Sequence, residues 1–264
     1  MTQVDGPAAQ RQIAAVIFDV DDTLVDTKAA FAEALSAIAS HYLPRLPVAD
    51  HHQVVALWRQ DPDGYYRAFT RGEMGFREQR YLRAEQVQRT FGGREITAAG
   101  FDAWDERFEA AFQAAWQPFE DAADVLALLR DTGLKIGAVT NAATAYQWQK
   151  LERTGLKGFI ATVVGVDELG YGKPSPDVFT LGCDRLGVTP PQAVYVGDEL
   201  DIDARAAITA GLAGVWVDRP AARRGGPFDE NREQALADGV LVIENLSDLP
   251  AALQTIRSGA FCSS

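Results

Sequence analysis

Six continuous apolar runs punctuate the chain, and each stops at polar or acidic residues. They are AAVIFDV (residues 14–20), LKIGAVT (134–140), FIATVVGVD (159–167), AVYVGDE (193–199), GLAGVWVD (211–218) and GVLVIENL (239–246). Runs without alternation predict strands buried on both faces of a parallel sheet. Between them lie stretches with helical spacing: DAADVLALLRDTG, AYQWQKLERTG, PDVFTLGCDRLG, IDARAAITA and, after the last run, LSDLPAALQTI. The first ends in Gly133, a residue suited to a helix C-cap. Strand alternating with helix predicts an α/β fold with a doubly wound parallel sheet.

One block breaks the rhythm. Residues 28–116 contain helical patterns and no good strand. AFAEALSAIASHY is amphipathic, GFREQRYLRAEQVQRTFG is a charged helix ending in glycine, and Phe101, Trp104, Phe108, Phe112 and Trp116 recur every three or four residues. Such an aromatic stripe predicts a core of its own for an inserted all-helical domain. The expected organisation is an α/β core of residues 13–27 and 117–257, a helical domain of 28–116, and flexible tails at 1–12 and 258–264. Within the insertion, Arg59, Arg67, Arg71, Arg77, Arg80, Arg83 and Arg89 read as a solvated helix face. His41, His51 and His52 read as surface polar residues around a proline-rich turn, and Trp58, Trp148 and Trp216 as packing residues. The loop containing residues 223–229 reads as exposed.

Composition narrows the function classes. The 264 residues are 47% hydrophobic and 23% charged, as in a folded globular protein, with a net charge of −12. That charge argues against nucleic acid and against anionic membranes as partners. No run reaches the length of a membrane span, and the first residues lack the charged start and apolar core of a signal peptide. Cys183 and Cys262, with no CxxC pair, fit a reducing cytoplasm. The stretch GVDELGYGKPS has the wrong spacing for a phosphate-binding Walker loop.

In a doubly wound sheet, ligands bind at the carboxyl ends of the strands. The residues just past the apolar runs are therefore the ones that carry chemistry. The first run leads into Asp19-Val20-Asp21-Asp22-Thr23 and the second into Thr140-Asn141. Lys173 follows the third, and Asp198 with Asp203 the fourth. Singly, each has an ordinary reading as a turn residue, a helix cap or an exposed lysine. Together they place several carboxylates, a lysine and a threonine at one edge. Gathered carboxylates repel one another unless a cation sits among them. Hard oxygen donors without histidine or cysteine point to Mg²⁺.

The segments FDVDDTLVDT, VTN, GKPSPDVF and VGDELDIDARAA, in this order and with a helical insertion after the first, resemble the haloacid dehalogenase superfamily of hydrolases. The likeness runs from about residue 14 to residue 253. It implies that Asp19 is a nucleophile forming an aspartyl-phosphate and that Asp21 is the acid and base for the leaving alcohol and the water. It further implies that Thr140 and the Asn141 N–H hold the phosphoryl group, and that Lys173 neutralises it. Asp19, Asp198 and the backbone carbonyl of Asp21 would ligate Mg²⁺, with Asp203 behind them orienting Lys173 or a metal-bound water. The superfamily's dehalogenases lack an aspartate at the position of Asp21, because halide leaves without a proton. The expected activity is thus a cytoplasmic, Mg²⁺-dependent phosphatase for a small phosphorylated metabolite. The alternatives are a 2-haloacid dehalogenase, a phosphomutase and a catalytically silent binding protein. The helical cap would select the substrate, with Arg67 and Arg71 as candidate contacts, and the molecule would be a monomer or a homodimer.

Overall fold

The computed structural model of the protein describes residues 11–71, 73–219 and 230–259. Residues 223–229, Cys262 and most of both expected tails lie outside the described residues. The chain divides into two compact units: the residues up to Asp26 with those from Gln117 onward, and Thr27–Trp116.

The first unit is built on a six-stranded sheet. Its strands are β1 (Ala15–Phe18), β2 (Lys135–Val139), β3 (Thr162–Val164), β4 (Ala193–Gly197), β5 (Ala213–Val217) and β6 (Leu241–Ile243). They lie in the order β3-β2-β1-β4-β5-β6, and every neighbouring pair is parallel. All six apolar runs thus supply a strand. β1 and β4 are buried along their whole length, which is why those runs show no alternation. Phe18 pairs with Ala138 on one side and Val196 on the other, so three strands end level. The order reverses between β1 and β4, the switch point where such sheets open a crevice at their carboxyl ends.

Helices cover the sheet: α6 (Ala122–Asp131), α7 (Thr144–Arg153), α8 (Pro176–Leu186), α9 (Ala206–Thr209), α10 (Arg232–Ala237) and α11 (Leu249–Ser258). Val178, Phe179, Cys183 and Leu186 of α8 pack on Ile17, Val139 and Tyr195 of the sheet. The third strand is shorter than its apolar run, because Lys157–Phe159 close a 3-10 turn in which the Ile160 N–H donates to Lys157 O. Arg11, expected in a flexible tail, is anchored instead: its guanidinium donates to Pro191 O at 2.5 Å and Gly211 O at 2.8 Å. Ser258 likewise ends α11 rather than opening a tail.

Among its described residues the second unit has five α-helices: α1 (Thr27–Tyr42), α2 (His51–Gln60), α3 (Tyr65–Thr70), α4 (Phe76–Phe91) and α5 (Phe101–Ala114). The aromatic stripe of α5 faces this unit's own core, with Phe101, Trp104 and Phe108 fully buried. Their rings follow one another at 5.9 and 5.7 Å, and Trp58 of α2 stacks on Trp104 at 5.9 Å. Three expectations change here. His51 is buried at the start of α2, its Nδ1 2.8 Å from Ser36 Oγ, and does not sit on the surface. Arg83 is buried and not solvated: its guanidinium lies over the Trp58 ring and donates to Trp58 O at 2.5 Å. Burial lowers its pKa to about 10, against the pull of Asp61. Arg80 is also largely buried, over the ring of Phe108 and 2.9 Å from Asp105. These side chains have apolar stems and flat heads that stack on aromatic rings, so charge alone does not mark them as exposed.

Candidate active site

The described site residues sit where three strands end. β1 delivers Asp19 and Asp21, β2 delivers Thr140 and Asn141, and β4 delivers Asp198. Backbone bonds register these ends: the Asp19 N–H donates to Val196 O at 2.9 Å and the Thr140 N–H to Val164 O at 3.0 Å. After Asp21 the chain turns sharply. Asp22 takes φ +61°, a conformation aspartate tolerates better than most residues, and its N–H donates to Val25 O at 2.7 Å.

Lys173 is the electrostatic centre. Its Nζ lies 2.8 Å from Asp19 Oδ1 and donates to Asp203 Oδ1 at 2.6 Å and to Tyr195 Oη at 3.0 Å. Lys173, Asp19, Asp203 and Tyr195 are all buried. Burial by itself would lower the lysine's pKa, but Asp19 and Asp203 outweigh it and raise it well above the ordinary value. Asp19 is pushed the other way from a typical buried ion-paired acid. Burial raises its pKa, Lys173 opposes that, and Asp203, Asp198 and Asp21 add to the rise. Burial also pushes the Tyr195 hydroxyl up, and that hydroxyl donates to Val139 O at 2.8 Å.

Two glycines make room for this cluster. A Cβ on Gly197 would stand 2.3 Å from Asp203 Oδ2, so only glycine lets the π-helix Leu200–Arg205 bring Asp203 against β4. A Cβ on Gly172 would meet Asn141 Oδ1 at 2.1 Å. That oxygen accepts from the Lys173 N–H at 2.7 Å while Asn141 Nδ2 donates to Lys173 O at 3.0 Å. The Asn141 side chain thus holds the lysine's backbone, a role the sequence does not reveal.

Asp19, Asp198 and Asp203 bring carboxylate oxygens within 4.8 Å of one another. Asp203 already accepts from Lys173 on one oxygen and from the Glu199 N–H on the other at 3.0 Å. Asp198 is held from below, its carbonyl accepting from Trp216 Nε1 at 2.9 Å. An all-oxygen donor set at which burial and neighbouring acids raise the carboxyl's pKa fits a hard divalent cation.

Asp21 has partners that sequence reasoning missed. Gln147 Nε2 donates to Asp21 Oδ2 at 2.5 Å and to Thr140 Oγ1 at 3.0 Å, and Lys150 Nζ pairs with Asp21 Oδ1. Both come from α7, whose pattern signals a helix but not which face meets the site. Arg67 and Arg71 lie in the helical unit. Arg67 is 3.6 Å from Asp61, and Arg71 forms a two-pronged pair with Glu73 at 2.7 and 2.6 Å.

Comparison with known proteins agrees with this architecture. The family model of haloacid dehalogenase-like hydrolases matches residues 13–211. The chain is 45% identical over 103 residues to a glyceraldehyde 3-phosphate phosphatase of Methanopyrus kandleri, a match covering 39% of this chain and 44% of that protein. It is 30% identical over 248 residues to a phosphoglycolate phosphatase of Salmonella typhi, covering 92% and 93% of the two chains. Among solved structures it resembles the HAD-hydrolase YfnB of Bacillus subtilis bound to magnesium, with a TM-score of 0.71 and 22% identity over 92% of this chain and 99% of that one. It also resembles the L-2-haloacid dehalogenase of Xanthobacter autotrophicus, with a TM-score of 0.63 and 23% identity over 92% and 99%. Phosphatases and a dehalogenase thus share this fold, and the site's own residues must separate them. The chain belongs to the haloacid dehalogenase-like hydrolase family, as an enzyme with a phosphatase among its full-length relatives.

Proposed function

We propose that the protein is a Mg²⁺-dependent phosphatase that hydrolyses a small phosphorylated metabolite through an aspartyl-phosphate. The observation that carries this reading is the buried Asp19–Lys173–Asp203 array at the sheet's switch point, with Asp21 two residues beyond Asp19. A dehalogenase needs no proton donor for its leaving group, whereas an alkoxide does.

Asp19 is the nucleophile. One of its carboxylate oxygens attacks phosphorus, the bond from phosphorus to the ester oxygen breaks, and Asp21 gives a proton to the departing alkoxide. Water then attacks the phosphorus of the acyl phosphate, Asp21 takes its proton, and Asp19 and orthophosphate separate. Lys173 stays charged and faces the phosphoryl oxygens as well as Asp19. The Thr140 hydroxyl and the Asn141 N–H hold the transferring group. Catalysis here is positioning plus stabilisation of dispersed negative charge. We assign the cation to Asp19, Asp198 and the backbone carbonyl of Asp21; when bound it supplies the positive charge that offsets the carboxylates and the phosphoryl group. Asp203 anchors Lys173. The helical unit is assigned substrate choice, with Arg67 and Arg71 as candidate anion contacts. The relatives' substrates suggest short, anionic phosphate esters. Among the described residues no helix is long and apolar enough to cross a membrane; the cytoplasmic setting we propose rests on the two cysteines and their lack of a CxxC pair.

The test is phosphate release from p-nitrophenyl phosphate and from a panel containing phosphoglycolate, glyceraldehyde 3-phosphate and phosphoserine, with Mg²⁺ and with EDTA. Release that needs the metal and falls at least about 10³-fold in Asp19→Asn is expected, since that variant keeps the size and loses the nucleophile. Halide release from 2-haloacids with no phosphate release would overturn the assignment.

A further inference from the structure

We propose that Gln147 and Lys150, one turn apart on α7, are positioning residues that set the proton-transfer group and the phosphate-binding hydroxyl in register. This rests on the reading of Asp21 as the acid and base of a phosphatase. Lys150 is a lysine with 1% of its surface exposed, and Gln147 is fully buried. A buried ammonium is retained only with a partner that compensates its lost hydration. Here that partner is the carboxylate of Asp21, which is itself about one-third exposed.

The two donors occupy both oxygens of Asp21, Lys150 on Oδ1 and Gln147 on Oδ2. A carboxylate gripped at both ends keeps one orientation. The same Gln147 nitrogen also donates to Thr140 Oγ1, as an amide with two N–H groups can. The Thr140 oxygen accepts a second bond from the Ala142 N–H at 3.3 Å. With both its lone pairs engaged, the hydroxyl keeps only its hydrogen to offer, and so acts as a donor, the polarity a phosphoryl oxygen requires. Gln147 therefore touches both halves of the chemistry. Its amide must present nitrogen here, because the same atom faces a carboxylate oxygen of Asp21, which accepts.

α7 is itself pinned. The Thr144 N–H and hydroxyl donate to Asp167 Oδ1 at 2.8 and 2.9 Å, and the Thr144 hydroxyl oxygen accepts from the Gly165 N–H at 3.1 Å. The helix start is thus tied to the turn after β3, which gives Gln147 and Lys150 a fixed platform.

The test compares Lys150→Met and Gln147→Leu with the wild type on p-nitrophenyl phosphate and on the alkyl ester it hydrolyses best. A nitrophenolate leaves almost without help, whereas an alkoxide needs the proton. Each variant should lose about tenfold more kcat on the alkyl than on the aryl ester; KM should change little in Lys150→Met and should rise on both esters in Gln147→Leu, which also frees the Thr140 hydroxyl. Lys150→Arg should recover most of the loss. Adding Lys150→Met to Asp21→Asn should cost little more than Asp21→Asn alone, since the lysine acts through the aspartate. Equal losses on both esters, or an effect confined to KM, would overturn the proposal and leave the pair a purely structural role. Should Lys150→Met fail to fold by circular dichroism, Gln147→Leu, which removes no charge, decides alone. Wild-type protein that hydrolyses no phosphate ester would overturn the phosphatase reading itself, whereas an active wild type without the alkyl–aryl split overturns only the role of this pair.

Discussion

Lys173 keeps its charge in a place where burial alone would remove it. Two carboxylates and a tyrosine hydroxyl surround its Nζ within 3.0 Å, and their effect exceeds the desolvation. Its pKa is raised, so the stabilisation is complete below the ordinary lysine value of 10.5 and is lost only as pH rises past the elevated one. Asp203→Asn keeps the shape and removes one of the two charges. It should lower stability by about 1.5–3 kcal/mol, the usual worth of a hydrogen bond to a charged group. Urea unfolding should show the same loss from about pH 6 to about pH 9, because the lysine stays charged across that range. A variant as stable as the wild type would mean that Asp19 alone suffices to hold the ammonium.

At the scale of the element, the segment after β4 departs from ordinary helix. Leu200–Arg205 forms a π-helix that runs into α9, and it carries Asp203 inward. The wider turn gives the Asp203 side chain a route to both Lys173 and the Glu199 N–H. Gly197 faces this carboxylate so closely that no side chain fits. Gly197→Ala should therefore push Asp203 off Lys173. The expected cost is about 1–3 kcal/mol, as for an overpacked core, with a fall in kcat larger than the change in KM. Unchanged stability and turnover would show that the π-helix yields without disturbing Lys173.

Over the whole molecule, each unit has its own core. The sheet unit packs α8 against β1, β2 and β4, whereas the helical unit closes around Trp58, Trp104 and Phe108. Trp104 is fully buried, stacked between Phe101 and Phe108. Trp104→Ala should destabilise the helical unit by about 3–5 kcal/mol. Hydrogen exchange should then speed up in α1, α4 and α5 while β1, β2 and β4 keep their protection. Equal loss of protection in both would show that the two cores unfold as one.

Local patterning was enough to indicate the sheet. Six apolar runs became six parallel strands, most plainly at β1 and β4, where burial along the whole strand leaves an uninterrupted run. The aromatic stripe of α5 was legible for the same reason, since helical spacing and burial coincide there. Asp19, Asp21, Thr140, Asn141 and Asp198 could be singled out because each follows a strand end directly, and Lys173 and Asp203 because they belong to the same ordered set of segments. Only the tertiary structure showed what surrounds them. Gln147 and Lys150 look like the polar face of any helix, and their burial against Asp21 depends on how α7 lies beside the sheet. Arg83 and His51 have the composition of surface residues, yet an aromatic ring and a serine hydroxyl take them inside. Periodicity along a chain records which positions lose water to the core. It does not record which polar groups meet across it, because those pairs join residues that lie far apart in sequence.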